Sequence, residues 1–261
     1  YPKRRIIMQK NITIVGAGLA GSLCALYLTK RGHHVSIFER RNDLRSEIIT
    51  AGKSINLALS KRGLTALKKV GVDAEVMKIA IPMYKRIMHD DKGNLTDQLY
   101  GNDGQAIYSV SRAQLNVLMM RLAAKNGADL YFNEKCIEAN LEQASVIFEN
   151  TNTNQKQTVT SDLIIGADGA FSSVRKQMVV QHDHDYRYNK IEHDYKELHI
   201  SAGKNGTFLL DKNALHIWPR GRFMLIALAN EDGSFTCTLN GVKTCLIFPI
   251  GLITRMLLGS W

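Results

Sequence analysis

A short apolar run, Asn11-Ile-Thr-Ile-Val15, feeds straight into Gly16-Ala-Gly18-Leu-Ala-Gly21 and then into Ser22 to Lys30, a stretch that suits a helix. With a second strand at Val35–Phe38, this makes a β-α-β unit of about 30 residues, the size of a dinucleotide-binding start. Each glycine has its own task there. Gly16 permits the tight turn, Gly18 lets the backbone approach a pyrophosphate, and Gly21 lets helix and strand pack closely. Unpaired amides and the helix dipole then favour negative charge at the helix N-terminus. Glu39 closes the second strand 18 residues after Gly21. A carboxylate at that place accepts hydrogen bonds from ribose hydroxyls and repels a 2′-phosphate, so the loop favours FAD or NAD over NADP. A chance glycine turn is the plain alternative, and the flanking strand, helix and acid argue against it.

Further on, Ser111-Arg-Ala-Gln114 reads as a capping box. It opens a helix with Leu115, Leu118, Met119, Leu122 and Ala123 on one face, stopped at Gly127. Strands are expected at Ala128–Phe132, Ser145–Phe148 and Leu163–Ile165, with a polar turn at Asn150–Gln155. The last of these strands ends in Gly166-Ala-Asp168-Gly169. From about residue 180 the pattern changes to short runs at Glu197–Ser201, Thr207–Leu210, Leu215–Trp218, Phe223–Ala229 and Ser234–Leu239, which read as antiparallel strands. The expected fold is α/β, a Rossmann-like nucleotide-binding region over 9–180 with small inserted strands. A mostly antiparallel sheet follows over 181–239, and 240–261 is a tail of no assigned role.

Composition narrows the function classes. The chain has 261 residues, 45% hydrophobic and 22% charged, which suits a globular protein and excludes disordered or low-complexity scaffolds. Its formal charge of +10 attracts anions. The basic residues are scattered and no nucleic-acid-binding motif is present, so a nucleic-acid partner is not expected. Cys24, Cys136, Cys237 and Cys245 have no metal-ligand spacing, and His182 and His184 read as a polar loop, so no metal is expected and the thiols point to a reducing, cytoplasmic setting. The first eight residues lack the apolar run of a secretory signal. Cys245 to Trp261 is interrupted by Pro249 and Arg255, short of the roughly 20 apolar residues of a span; membrane attachment is therefore not expected.

Asp168-Gly169-Ala-Phe-Ser172-Ser173-Val-Arg175 follows a buried strand and leads into a helix. In order behind the glycine loop and Ser111-Arg112, it resembles the class A flavoprotein aromatic hydroxylases. That resemblance implies an FAD site built from Gly16, Gly18, Leu19, Ala20, Gly21, Glu39, Arg112, Asp168 and Gly169, with NADPH as co-substrate. Narrower still are Ala51-Gly-Lys-Ser-Ile-Asn-Leu-Ala-Leu-Ser60, Ile81-Pro82-Met83, Arg86, Tyr100-Gly101, Leu215-His-Ile-Trp-Pro-Arg220 and Ser234-Phe-Thr-Cys-Thr-Leu239. These are similar to the kynurenine 3-monooxygenase family over residues 9 to 239.

The resemblance implies hydroxylation of the ring of L-kynurenine with O2, the hard chemistry being carried by the flavin and no protein side chain acting as the catalyst. Arg86 matches the family's carboxylate-binding arginine and Tyr100 its hydroxyl partner, while Leu215, Ile226, Leu228 and Thr238 match the lining around the aromatic ring. The plain alternatives are a solvated charge beside Lys85 and ordinary strand core. After Leu239 the likeness ends: Asn240 stands where the family has a phenylalanine, and its later segments, a GDAAH stretch among them, have no counterpart up to Trp261. A truncated product is the expectation. Eukaryotic members of the family are anchored in the outer mitochondrial membrane by a C-terminal segment that this tail does not resemble. Two other readings stay open: a catalytically incompetent FAD-domain fragment, and another aromatic-ring flavin hydroxylase.

Overall fold

The structure is a computed structural model and describes residues 8–46, 55–182 and 186–242. Part of the Ala51–Ser60 motif, His184, Cys245 and nearly all of the 240–261 tail lie outside these residues. In chain order the first elements are β1 (Asn11–Val15), α1 (Leu19–Thr29), β2 (His34–Glu39), β3 (Asn56–Leu59), α2 (Lys61–Lys69) and α3 (Asp73–Met77). Next come β4 (Ala80–Met83), β5 (Lys85–His89), β6 (Leu95–Leu99), β7 (Ile107–Ser111), α4 (Arg112–Lys125), β8 (Ala128–Phe132) and β9 (Glu134–Asn140). The remainder are β10 (Ser145–Asn150), β11 (Lys156–Thr160), β12 (Leu163–Gly166), α5 (Ser173–His182), β13 (His193–Ile200), β14 (Ala214–Arg220), β15 (Phe223–Ala229) and β16 (Phe235–Val242).

Two compact units share the chain. The first takes Tyr1–Ile48, Leu67–Val72 and Leu115–Tyr188; the second takes Ile49–Ala66, Asp73–Gln114 and Asn189–Trp261. The units interleave instead of following one another as 9–180 and 181–239. The reason is non-local pairing: β14 lies parallel to β5, with Leu215 opposite Arg86, and so draws residues from before 100 into the later sheet.

In the first unit a parallel sheet runs β12-β1-β2-β8. Its central strands bury their apolar residues on both faces, as buried parallel strands do: Ile12, Ile14, Val35, Ile37 and Phe38 are all buried, with Thr13 among them. Helix α1 buries Ala25 and Leu26. Strands β9, β10 and β11 form an antiparallel meander, and α5 packs on β9. Val15, Phe38, Cys136, Val146, Phe148 and Val174 join these pieces in one apolar cluster. The Phe38 ring stacks on Phe148 at 4.1 Å and on Tyr131 at 4.7 Å.

The second unit holds a three-stranded sheet, β3-β7-β4, and a six-stranded sheet, β13-β16-β15-β14-β5-β6. One face of the larger sheet is packed by Trp218, Leu225, Ala227, Ala229, Phe235, Cys237 and Leu239. The strand expected at Thr207–Leu210 does not form. A 3-10 turn at Lys204–Gly206 precedes it, and Phe208 and Leu210 pack against this cluster as loop residues. Alternation there marked burial without pairing.

The packed face also buries a histidine pair. His89 Nε2 and His216 Nδ1 share a hydrogen bond of 2.9 Å, His216 Nε2 meets the Asp211 carbonyl at 2.9 Å, and the His89 ring stacks on Trp218 at 4.0 Å. Burial, then the charges of His216 and Arg220, push His89 down to about 4. Burial is the main cause that lowers His216 as well. Since the unfolded chain takes up these protons at higher pH, stability falls as pH drops from about 6.5 through about 4. For the partly buried His89 the loss is about 1–2 kcal/mol once solvent screening is allowed for. Urea midpoints compared at pH 7 and pH 5 should show it, and His89→Phe should shrink the difference.

Candidate cofactor and substrate sites

Glycine chemistry sets the first site. Gly16 sits at φ +103, and its amide donates to the Phe38 carbonyl at 2.8 Å. A Cβ at Gly16 would stand 2.6 Å from the Ala167 carbonyl oxygen and 3.0 Å from the Asp168 Cα. The β1–α1 turn and the Asp168-Gly169 turn therefore meet backbone to backbone. A Cβ at Gly21 would overlap the Gly16 carbonyl and lie 3.3 Å from Ile14 Cγ2, whereas one at Gly18 would meet nothing within 4 Å. Two of the three glycines are thus consumed by packing and the middle one faces open space.

Helix α1 starts immediately after Gly18, which is extended at φ −69 and ψ 179 and supplies no side-chain cap. The first-turn amides at Leu19, Ala20 and Gly21 have no carbonyl four residues back within the helix. No acidic residue occupies that first turn. A helix N-terminus with open approach and free donors favours a phosphate anion.

Glu39 ends β2 beside this turn, with only 5% of its surface exposed. Its Oε2 accepts the Ala17 amide at 2.9 Å and Arg41 Nη2 at 3.2 Å; its Oε1 accepts Arg41 N at 3.0 Å and Nε at 2.8 Å. Burial alone would raise the carboxyl. Hydrogen bonds from the Arg41 side chain, the Arg41 amide and the Ala17 amide, with the Arg41 charge, outweigh that and hold it below its ordinary value. The carboxylate is ionised and aimed. Arg41 had no role in the sequence reading, and the Glu-x-Arg spacing was the signal that could have given it one.

Asp168 works on α5. Its Oδ1 accepts the Ser172 hydroxyl at 2.5 Å, and its Oδ2 accepts the amides of Ser173 at 2.6 Å and Val174 at 3.3 Å. These bonds satisfy the helix's first donors, so the aspartate fixes the turn that abuts Gly16. Gly169 follows at φ +82, where a side chain would be strained.

In the second unit the substrate candidates fall on one sheet face. Arg86 pairs with Leu215, Ile226 with Thr238, and Leu228 with Thr236. Side chains alternate along a strand, so Arg86, Leu215, Ile226, Leu228 and Thr238 all project away from the packed Trp218–Phe235 side. Arg86 is exposed. Tyr100 follows β6, its amide bonded to the Tyr84 carbonyl at 3.0 Å. Burial raises its phenol and the nearby Arg86 charge pulls the other way; the net rise keeps the hydroxyl protonated at neutral pH. An arginine beside a phenol at the rim of an apolar strip suits a small aromatic acid.

Arg112 belongs to this second unit. It is exposed at the start of α4, its amide bonded to the Ile55 carbonyl at 3.1 Å; the Ser111 hydroxyl accepts the Gln114 amide at 3.4 Å, one half of the expected capping box, while Gln114 Nε2 donates to Glu231 at 3.4 Å. Asn56, from the Ala51–Ser60 motif, has a structural role: its Nδ2 donates to Ser109 Oγ, the Ala229 carbonyl and Asn230 Oδ1. Among the described residues no cluster of His, Cys, Asp or Glu could hold a metal ion, and no helix is long and apolar enough to cross a membrane.

A parallel sheet entered through a glycine turn, with a free helix N-terminus and a buried acid closing the second strand, defines a dinucleotide-binding α/β fold of flavoprotein type. The model of the FAD binding domain family matches residues 9–231, and the chain belongs to that family. Among curated relatives, kynurenine 3-monooxygenase of Flavobacterium psychrophilum is 48% identical over 235 residues, covering 89% of this chain and 52% of that protein. The Dictyostelium discoideum enzyme of that name is 46% identical, covering 90% of this chain and 50% of its own. The chain spans about half the length of the curated relatives it matches. Among solved structures, a flavoprotein/dehydrogenase from Cytophaga hutchinsonii aligns at TM-score 0.70 and 16% identity over 91% of this chain and 56% of that one. A 2-methyl-3-hydroxypyridine-5-carboxylic acid oxygenase aligns at 0.71 and 16%, over 97% and 66%. Identities this low bear on the fold alone.

Proposed function

We propose that this chain carries the FAD-binding and substrate-binding elements of a kynurenine 3-monooxygenase, which converts L-kynurenine, NADPH, O2 and a proton to 3-hydroxykynurenine, NADP+ and water. The observation that carries the reading is the single sheet face shared by Arg86, Leu215, Ile226, Leu228 and Thr238, with Tyr100 at the Arg86 end. When bound, FAD supplies the redox chemistry, accepting a hydride from NADPH and activating O2 for transfer to the ring.

The protein's own part is binding and orientation. Gly18 and the Leu19, Ala20 and Gly21 amides receive the pyrophosphate, Glu39 accepts the adenosine ribose hydroxyls, and Asp168 and Gly169 hold the adjoining turn. Arg112 is assigned to the flavin. Arg86 grips the substrate carboxylate, Tyr100 donates its hydroxyl to it, and the aliphatic residues hold the ring against the sheet and keep water from it. Its setting is the cytoplasm, where the described cysteines Cys24, Cys136 and Cys237 remain free thiols.

A second reading is a nucleotide-binding domain that takes up FAD without turnover. Its support is β12, which lies at the edge of its sheet among the described residues, with Leu163 45% exposed. One sample decides between them: the visible spectrum of the purified chain, then NADPH oxidation with and without kynurenine. Bound flavin with kynurenine-stimulated oxidation is the expected result for the hydroxylase. Bound flavin without stimulation favours the second reading, and a colourless chain that takes up no added FAD defeats both.

A further inference from the structure

Lys85 and Arg86 are neighbours in β5 and face opposite sides of the sheet, Arg86 on the side of Leu215 and Ile226. Lys85 lies opposite Leu99 of β6 and Asp97 lies opposite Ile87. Lys85 and Asp97 are therefore diagonal neighbours on the reverse side, within reach of a long side chain. Lys85 Nζ donates to Asp97 Oδ2 at 2.7 Å and lies 3.4 Å from Asp211 Oδ2. The bond to Asp97 leads the causes that raise the ammonium above its ordinary value, and Asp211 adds to them. Two carboxylates thus engage this cation, turned away from the face that carries Arg86.

Those carboxylates stand on the two segments that flank β5. Strand β6 lies at the edge of its sheet among the described residues and is exposed at all five positions, so its place depends on its ladder with β5 and on side-chain bonds across it. Asp211 begins the turn before β14; its Oδ1 accepts the Asn213 amide at 2.9 Å and its carbonyl accepts His216 Nε2 at 2.9 Å. Backbone bonds join that turn to the substrate site. The Tyr84 amide donates to the Asn213 carbonyl at 2.9 Å, and the Tyr100 amide to the Tyr84 carbonyl at 3.0 Å. Lys85 closes, from behind, the corner from which Arg86 and Tyr100 emerge. Ion pairs to acids this exposed, 52% for Asp97 and 40% for Asp211, add little to stability. What such a staple does is fix the register of an edge strand.

We propose that Lys85 is a positioning residue for recognition of the substrate carboxylate: clasped between Asp97 and Asp211 on the reverse of the sheet, it holds β5, β6 and the 211–213 turn together and so sets the spacing of Arg86 and Tyr100 on the front. The inference rests on the reading of Arg86 as the cation that grips the kynurenine carboxylate. Its effect passes through the backbone, which adjacent strand residues share while their side chains diverge. It also removes a rival. With its charge engaged by two acids on the reverse side, Lys85 does not compete with Arg86 for the carboxylate.

The test titrates kynurenine and its amine analogue without the carboxylate into the purified chain and into Lys85→Gln, Lys85→Arg and Asp97→Ala, with urea midpoints to confirm folding. The ratio of the two affinities isolates the carboxylate. Asp97→Ala decides between register and simple charge, because they predict opposite signs. Removing an acid should, by its field alone, favour the ligand that carries the carboxylate and raise the ratio. Opening the clasp should lower it about three- to tenfold, part of the worth of a hydrogen bond to a charged group. Lys85→Gln should lower the ratio likewise, and Lys85→Arg, whose fork can span the same acids, should restore most of it. In an Arg86→Met background neither Lys85→Gln nor Asp97→Ala should change the ratio further, as a residue acting through Arg86 requires. A ratio that rises or stays put in folded Asp97→Ala overturns the clasp and leaves the Arg86 reading intact; this exposed position serves if Lys85→Gln fails to fold. A parent chain that binds the two ligands alike, or binds neither, overturns the Arg86 reading and this proposal with it.

Discussion

Gly18→Ala should leave the fold standing and weaken flavin binding, whereas Gly21→Ala should weaken both. The contrast follows from where a methyl group would go. At position 18 it meets nothing within 4 Å, and the backbone there is already at φ −69, open to any residue. The only structural cost is a poorer N-cap, since alanine ranks below glycine there; unfolding midpoints should barely move. Yet the open space is where the pyrophosphate must approach the α1 amides, so FAD affinity should fall by tenfold or more.

At position 21 the methyl overlaps the Gly16 carbonyl, with Ile14 Cγ2 at 3.3 Å behind it. The obstacle is backbone and cannot rotate away, so the strand and helix must separate, at a cost of about 3 kcal/mol. That is a large part of the stability of a domain, about 5–15 kcal/mol. Urea unfolding and FAD titration on the two variants give four readings. A flavin-binding Gly18→Ala of normal stability would mean that the cofactor phosphates do not pass over residue 18.

The same comparison shows which parts of the molecule could be read from the chain and why. The β1–turn–α1–β2 unit and Glu39 were legible because everything that defines them is local: an apolar run, three glycines at fixed spacing and an acid at a strand end. The strands at Leu215–Trp218, Phe223–Ala229 and Ser234–Leu239 were legible because one face of each is packed and the alternation is strong. Strands β5 and β6 were not. Lys85 and Arg86 are charged, all of Leu95–Leu99 is exposed, and what makes β5 a strand is its pairing with β14 about 130 residues later. Gly63, in the first turn of α2, closes against the flexible Leu59 side chain at the end of β3, a contact with no sequence signature.

Within the candidate sites the residue types were readable and their couplings were not. Glu39 could be picked out as an acid at a strand end, but nothing in the order of residues shows Arg41 folding back on it. Asp168 could be picked out from the Asp-Gly turn before a helix, but its service as the cap of α5 appears only in three dimensions. Arg86 and Tyr100 became neighbours only when β5 and β6 paired, Arg86 opposite Gln98 two residues before Tyr100.

That last juxtaposition carries the other large effect. Arg86→Met should weaken kynurenine binding to the folded chain by about 10- to 100-fold, because a hydrogen bond to a charged group is worth about 1.5–3 kcal/mol. Arg86→Lys should recover part of it, a point charge replacing a fork. Tyr100→Phe should lose less, about three- to tenfold, since one hydroxyl donor goes and the charge remains. Two further readouts separate recognition from mere stability. The parent should prefer kynurenine over an analogue without the carboxylate, and Arg86→Met should bind the two alike. Arg86 also holds the Tyr100 phenol down against the burial that raises it. Removing the guanidinium should therefore move the Tyr100 titration to higher pH, measured by ultraviolet absorption as the difference between each protein and its Tyr100→Phe counterpart. A variant that still discriminates the carboxylate would show that another cation binds it. A Tyr100 titration that stays put would separate the arginine from the phenol and leave the shared face without its anchor.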